Sequence, residues 1–291
     1  MAPAGQIRTG TAGWVFEPWR GAFYPPRLVQ KRELAYASSR LRVIEINATF
    51  YANQKLSSFA NWADQSAQNF VFSVKGPKFI THQLKLRNAA GPLANFMASG
   101  VLRLGPKLGP FIWQLPGNLH YDRDRLESFF ALLPHTPADA ARLADAHDER
   151  VKDAYAATDG VAAFRHAIEV RHESYANAEF VDLLRQYDVA LVCADTADWP
   201  YFDVTADFVY GRLQGPPSGG GYGAQDLDRI AARADAWSKG AVANDDAFLT
   251  DAVRDGKPRD VFLFFVHEDK LHAPANAMAV MQRLGIKAPG D

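Results

Sequence analysis

Glu45, Lys75, Glu169, Arg171 and Arg212 all sit where an apolar, alternating stretch of sequence gives way to a loop. In VIEIN at 43–47, Glu45 and Asn47 share one face of an extended chain while Ile44 and Ile46 occupy the other. Glu169 and Arg171 share a face in the same way. A carboxylate inside an apolar strand is costly unless it is paired. Glu45 and Glu169 therefore read as parts of a buried charged cluster, with Lys75, Arg171 and Arg212 as partners. The chemistry such a cluster suits is acid/base work on a small anion. Glu45 or Glu169 would act as general base or acid, tuned by burial and a neighbouring cation, and His172 would assist proton transfer. Lys75, Arg171 and Arg212 would hold the anion through charge-assisted hydrogen bonds. Asn47, Gln114, His82 and Asp195 complete the set as substrate contacts. His82, in Ile80-Thr81-His82, follows its strand closely enough to reach over the site. The competing reading makes Glu45 and Glu169 scaffold, because barrel interiors also hold structural ion-pair layers.

Glu45, Glu169, Asp195, His172 and His267 are ligand types that suit Mg, Mn or Zn, yet no local motif such as H-E-x-x-H signals a metal. No cofactor is expected, and a divalent metal stays compatible with the residues. The chain carries no P-loop, no nucleophile-elbow signature and no C-x-x-C pair. GTAGW at 10–14 is not the glycine fingerprint of a dinucleotide site. His120, His135, His147 and His166 stand outside any cluster and read as structural or solvated. Trp14, Trp19, Phe50 and Tyr51 read as core or as a pocket wall.

The elements that must position these side chains are eight short apolar runs, at 6–11, 43–47, 70–74, 111–114, 167–170, 190–194, 208–213 and 261–266. Several are unbroken, as strands buried on both faces are. Helical patterns fall between them at 31–39, 56–65, 92–102, 123–132, 178–187, 225–238 and 247–253. Asp122 is placed as an N-cap for 123–132, with Leu126, Phe129, Phe130 and Leu133 on one face. The alternation predicts a single (β/α)8 TIM-like barrel over residues 1–291, with its site at the carboxyl ends of the strands. Two irregularities are expected. The sixth crossover, 195–207, has no helical period and should lack a full helix, and 137–158 reads as a peripheral helical insertion before strand five. PPSGGG at 216–221 reads as a loop rather than a linker.

A hydrophobic share of 48% and a charged share of 22% fit a globular chain with a sizeable core. A formal net charge of −1 forces neither a nucleic-acid nor a membrane partner. The single cysteine, Cys193, excludes an intrachain disulfide and suits a reducing compartment. No apolar run approaches the roughly 18 residues that span a bilayer, and the first ten residues lack the apolar region of a secretory signal, so a cytoplasmic protein is expected.

The residues at the strand ends also carry a likeness. GTAGW and WRGAFYP within 10–25, VIEINATFY at 43–51, FVFSVKGPKFITH at 70–82, LGPFIWQLP at 108–116, AIEVRHESY at 167–175, ADTADWPY at 194–201 and DFVYGRLQG at 207–215 resemble the YecE-like family, a domain-of-unknown-function family. The likeness runs in order along nearly the whole chain, including ARLADAHDERVK at 141–152. It implies the (β/α)8 fold and no particular reaction. Two departures touch the site. The family's RLHG is RLQG here, so Gln214 stands for a histidine. Its YFDND is replaced by FFVHED, with Val266 in place of an acid or amide and an imidazole gained at His267, followed by Glu268.

The leading expectation is an enzyme of acid/base type acting on a small anionic metabolite, phosphorylated ones included. The rivals are a non-catalytic anion or nucleic-acid binding protein and a metal-dependent phosphodiesterase. Steep salt dependence of nucleic-acid affinity would mark the former, and loss of activity with a chelator the latter.

Overall fold

A computed structural model describes residues 3–196, 199–216, 219–242, 247–251, 253, 255–266 and 270–290. Nine parallel strands form one sheet: β1 (Ile7–Ala12), β2 (Val43–Ile46), β3 (Val71–Lys75), β4 (Leu108–Gln114), β5 (His166–Glu169), β6 (Val189–Leu191), β7 (Cys193–Ala194), β8 (Phe208–Leu213) and β9 (Asp260–Phe265). Their order is β6-β5-β4-β3-β2-β1-β9-β8-β7. The two ends of that order are neighbours in sequence, separated by Val192 alone, so the sheet comes round on itself into a nearly closed barrel.

The expected single strand at 190–194 is therefore two. β6 pairs with β5, whereas β7 pairs with β8. The edge of β6 is occupied instead by Thr205, whose hydroxyl accepts from Leu191 N at 2.8 Å and donates to Val189 O at 2.7 Å. The crossover that supplies Thr205 shows no helix among its described residues, as its sequence implied.

Helices line the outside. α1 (Glu33–Arg40), α3 (Leu56–Gln65), α4 (Ala90–Ala98), α5 (Arg123–Phe130), α7 (Ala178–Gln186) and α8 (Ala224–Ser238) fall within two residues of their expected starts. α2 (Ala48–Tyr51) is a single turn after β2. Asp122 caps α5, its side chain accepting from Arg125 N. Three expectations need correction. The insertion 137–158 is helical only over α6 (Pro137–Asp145), whose Ala140 and Ala144 are fully buried; the rest is irregular. The last helix, α9 (Ala273–Arg283), was not anticipated.

The segment 247–253 is not a helix over its described residues. Buried Asp203 draws it out: one carboxylate oxygen accepts from Leu249 N at 2.8 Å, the other from Thr250 Oγ1 at 2.5 Å, and Phe202 N donates to Ala247 O. Arg185 stands 3.6 Å from the same carboxylate. Hydrogen bonds to a charged group contribute about 1.5–3 kcal/mol each. Asp203→Ala should therefore lower stability by about 3 kcal/mol in denaturant titration. A loss under about 1 kcal/mol would mean that this carboxylate does not hold the segment.

Period two sorts the barrel interior into layers. Phe208, Tyr210, Phe262 and Phe264 fill one side against Ala167 and Ala190 on the other, with Val43 and Ile112 between. The outward faces of the same strands, such as Ile44, Ile46, Val74 and Phe111, join a second core beneath the helices. At the carboxyl end of the interior the apolar residues stop, and a polar layer begins.

Candidate functional site

All but one of the residues of that polar layer stand one alternation above a residue of the apolar interior. Glu45 stands two residues beyond Val43, Gln114 beyond Ile112, Glu169 beyond Ala167 and Arg212 beyond Tyr210. Lys75 stands two beyond Ser73 on β3. Gly76 follows at once, and any Cβ there would collide with the ring of Trp113. The β3 chain thus passes close over the indole, while Gly76 N still bonds Ile112 O at 2.9 Å.

The two glutamates are almost wholly buried, at 0% and 2% exposure, and every one of their oxygens is engaged. Arg212 donates through Nη2 and Nε to the two oxygens of Glu45, at 3.0 and 3.1 Å, and through Nη1 to Glu169 Oε2 at 2.5 Å. Tyr210 adds its hydroxyl to Glu45 Oε2 at 2.8 Å and lies 2.7 Å from Ser73 Oγ. The other oxygen of Glu169 accepts from Gln114 Nε2 at 2.8 Å and from Arg171 Nε and Nη2 at 3.1 and 2.9 Å. Burial pushes the Glu169 carboxyl up, but the charges of Arg212 and Arg171 outweigh it and hold it at about 2. The glutamates also raise the pKa of Arg212 against the cost of its burial.

Lys75 departs from the expected pattern. It forms no ion pair with either glutamate; Nζ donates to Gln114 Oε1 at 2.9 Å and lies 4.2 Å from the centre of the Phe50 ring. Burial, helped by the charge of Arg212, lowers its pKa to about 8.

Lys75, Arg171, Arg212, Gln114 and Asn47 line one cavity of about 340 Å³, together with Phe16, Tyr51, Gln214, Val266 and Lys270. Glu45 and Glu169 lie under its floor rather than in its wall. The other expected residues are elsewhere. His82 sits on a π-type turn (Phe79–Gln83), edge-on to Phe50 at 5.1 Å and bonded to Thr81, with its pKa lowered by burial and by Lys75 and Arg171. His172 packs against His120 at 3.9 Å between ring centres, and its Nδ1 is taken up by Ser174. Asp195 ties down the loop after β8, accepting from Gln214 N at 2.6 Å and from the Tyr222 hydroxyl. Neither histidine nor Asp195 lines the cavity.

Ser73 and Tyr210 are participants that the strand-end residues did not include, while Phe50, expected as core or wall, packs against Lys75. Period two along β3 and β8 carried the signal for the first two, since they share a face with Lys75 and Arg212. Of the aromatics considered as a wall, Tyr51 is one, Trp19 is fully buried core, and Trp14 packs on Trp62 and Phe72. Gln214 and Val266, which depart from the family pattern, both face the cavity; His267 and Glu268 lie outside the described residues. Among the described residues no three His, Cys, Asp or Glu side chains gather to hold a metal, and no helix is long and apolar enough to cross a membrane.

Comparison with known proteins agrees with this architecture. A DUF72 family protein of Thermotoga maritima MSB8 superposes with a TM-score of 0.68 at 20% identity, covering 96% of this chain and 99% of that one. One of Enterococcus faecalis V583 gives 0.63 at 16%, covering 97% and 98%. At such identities the likeness speaks for the fold alone. The Bacillus subtilis UPF0759 protein YunF is 31% identical over 78 residues, and the Escherichia coli K12 UPF0759 protein YecE is 33% identical over 73. Those matches span about a quarter of each relative, 27% and 26%. The model of the family described as protein of unknown function DUF72 matches residues 8–290, and the chain belongs to that family.

Proposed function

We propose that the barrel mouth binds a small anionic molecule and moves a proton on it through Lys75. The observation that carries this reading is spare donor capacity facing a cavity. Beyond its bond to Gln114, Lys75 Nζ keeps N–H groups without a partner among the described residues, and so does Arg171 beyond its bonds to Glu169. The carboxylates that would repel an anion are beneath the floor and already neutralised. Three cations, Lys75, Arg171 and Arg212, stand over two carboxylates there.

The roles divide by environment. Glu45 and Glu169 hold Arg212 in place, and Glu169, kept anionic to about pH 2, is too weak a base for proton abstraction near neutrality. Lys75, lowered to about 8, is cationic for ligand binding yet close enough to neutrality to give up its proton. His172 and Asp195 do not line the cavity and carry no step in this reading.

Sulfate is a suitable probe because it stays dianionic across the working range. It should bind the native chain, and Arg171→Met should weaken it about tenfold, one charge-assisted hydrogen bond being worth about 1.5–3 kcal/mol. The Arg171 side chain is 46% exposed, so its loss should leave the fold intact. Calorimetric titration with no sulfate binding, or with equal binding by the variant, would reject the reading.

A further inference from the structure

Behind the wall of the mouth lies a second cavity, of about 400 Å³, that the anion does not need. The two adjoin through Tyr51, which lines both. Tyr51 is 74% exposed and Phe79, which lines the second cavity, is 44% exposed. Both are large rings left in water at the edge of a site, whereas most aromatics of this chain are buried. Phe50 stands between the cavities: its ring receives Lys75 at 4.2 Å and meets Tyr51 edge-on at 5.1 Å. The steps from ammonium to Phe50 and from Phe50 to Tyr51 are thus short enough for one small molecule to span. Lys78, without an ion-pair partner among the described residues, adds positive charge at the rim, where Arg150 is already paired with Asp148.

We infer that the ligand is an anion carrying a planar aromatic or heteroaromatic ring, its charged group on Lys75 and Arg171 and its ring against Tyr51 and Phe79. Exposed aromatic faces are matched by a flat π-system, which stacks on them and removes their apolar surface from water. The local cation excess suits a ligand whose ring is itself electron-rich or bears further negative charge. This inference rests on the anion site proposed above and adds the chemical class of the remainder of the ligand.

Phenylphosphonate and methylphosphonate share the anionic group and differ in the ring, and neither has an ester bond to be cleaved. The native chain should bind phenylphosphonate at least about fivefold more tightly, the lower end of what one stacked ring contributes. Phe79→Ala lines only the second cavity and should leave methylphosphonate affinity unchanged while reducing the preference. Tyr51→Ala combined with Phe79→Ala should abolish it. Equal binding of the two phosphonates by the native chain would overturn the ring site while the anion site stood. A preference that survives the double variant would also overturn it. Binding of neither compound would overturn the anion site and this inference with it.

Discussion

Replacing Arg212 by Met is expected to lower the stability of the folded chain by at least about 3–5 kcal/mol, the cost of stripping one partner from a buried ion pair. Here a single guanidinium serves two carboxylates, each all but inaccessible to water. Methionine leaves both without their strongest donor. Glu45 keeps the Tyr210 hydroxyl, and Glu169 keeps Gln114 and Arg171, so Glu45 should suffer more. In a chain of this length the loss should appear as a fall in melting temperature of at least about 5–8 °C. The acid sensitivity of the native chain should report on the same network. Glu169 titrates at about 2 when folded, below its ordinary 4.5. A depressed acid contributes stability that is present above its unfolded pKa and lost as pH falls toward its folded one. Stability on the order of 3 kcal/mol should therefore drain away between about pH 4.5 and pH 2. Arg212→Met should lose most of that acid sensitivity along with its stability. A variant that melts with the native chain would show that Arg212 is not the keystone of the polar layer.

Much of this network was legible in the sequence, because strand alternation is rigid. Once VIEIN is read as a strand, Glu45 and Asn47 must point the same way, and the same rule gathers Lys75, Gln114, Glu169 and Arg212 at one barrel end. What alternation cannot give is the pairing within the layer. Lys75 and Arg212 looked equivalent as strand-end cations; the register places Arg212 between two carboxylates and leaves Lys75 beside an amide. Residues beyond a strand end are harder still. His172 and Asp195 leave their strands in loops whose course is set by local hydrogen bonds, from Ser174 in one case and Tyr222 in the other. The break at Val192 was invisible for a related reason. Its cause is Thr205, fourteen residues from Leu191, satisfying an edge that a strand would otherwise take.

The inequality of the two cations makes Lys75→Met the informative counterpart, and its expected sign is opposite. Buried at 7% exposure with no carboxylate bonded to it, Lys75 has its pKa lowered from the ordinary 10.5 to about 8. The folded chain therefore prefers the neutral amine. Below pH 8 the lysine is protonated in both states, and its burial costs on the order of 3 kcal/mol. Between pH 8 and 10.5 the unfolded chain still binds the proton and the folded one does not, so native stability rises with pH across that window. Lys75→Met removes the cost and loses one hydrogen bond to Gln114, worth about 1 kcal/mol. At pH 7 the variant should be more stable than the native chain by about 2 kcal/mol, with the gap narrowing as pH climbs past 8. Sulfate binding should move the other way. Native affinity should fall above about pH 8, approaching tenfold per pH unit as the ammonium deprotonates, whereas the variant should bind weakly at every pH. Denaturant titration at pH 7 and pH 10 beside calorimetry of sulfate at both values reads the two effects separately. A variant less stable than the native chain at pH 7, with sulfate affinity intact, would give Lys75 to the scaffold and take the proton-transfer role from it. Gain of stability with loss of anion would mark it as a charge kept at the barrel mouth against the interest of folding.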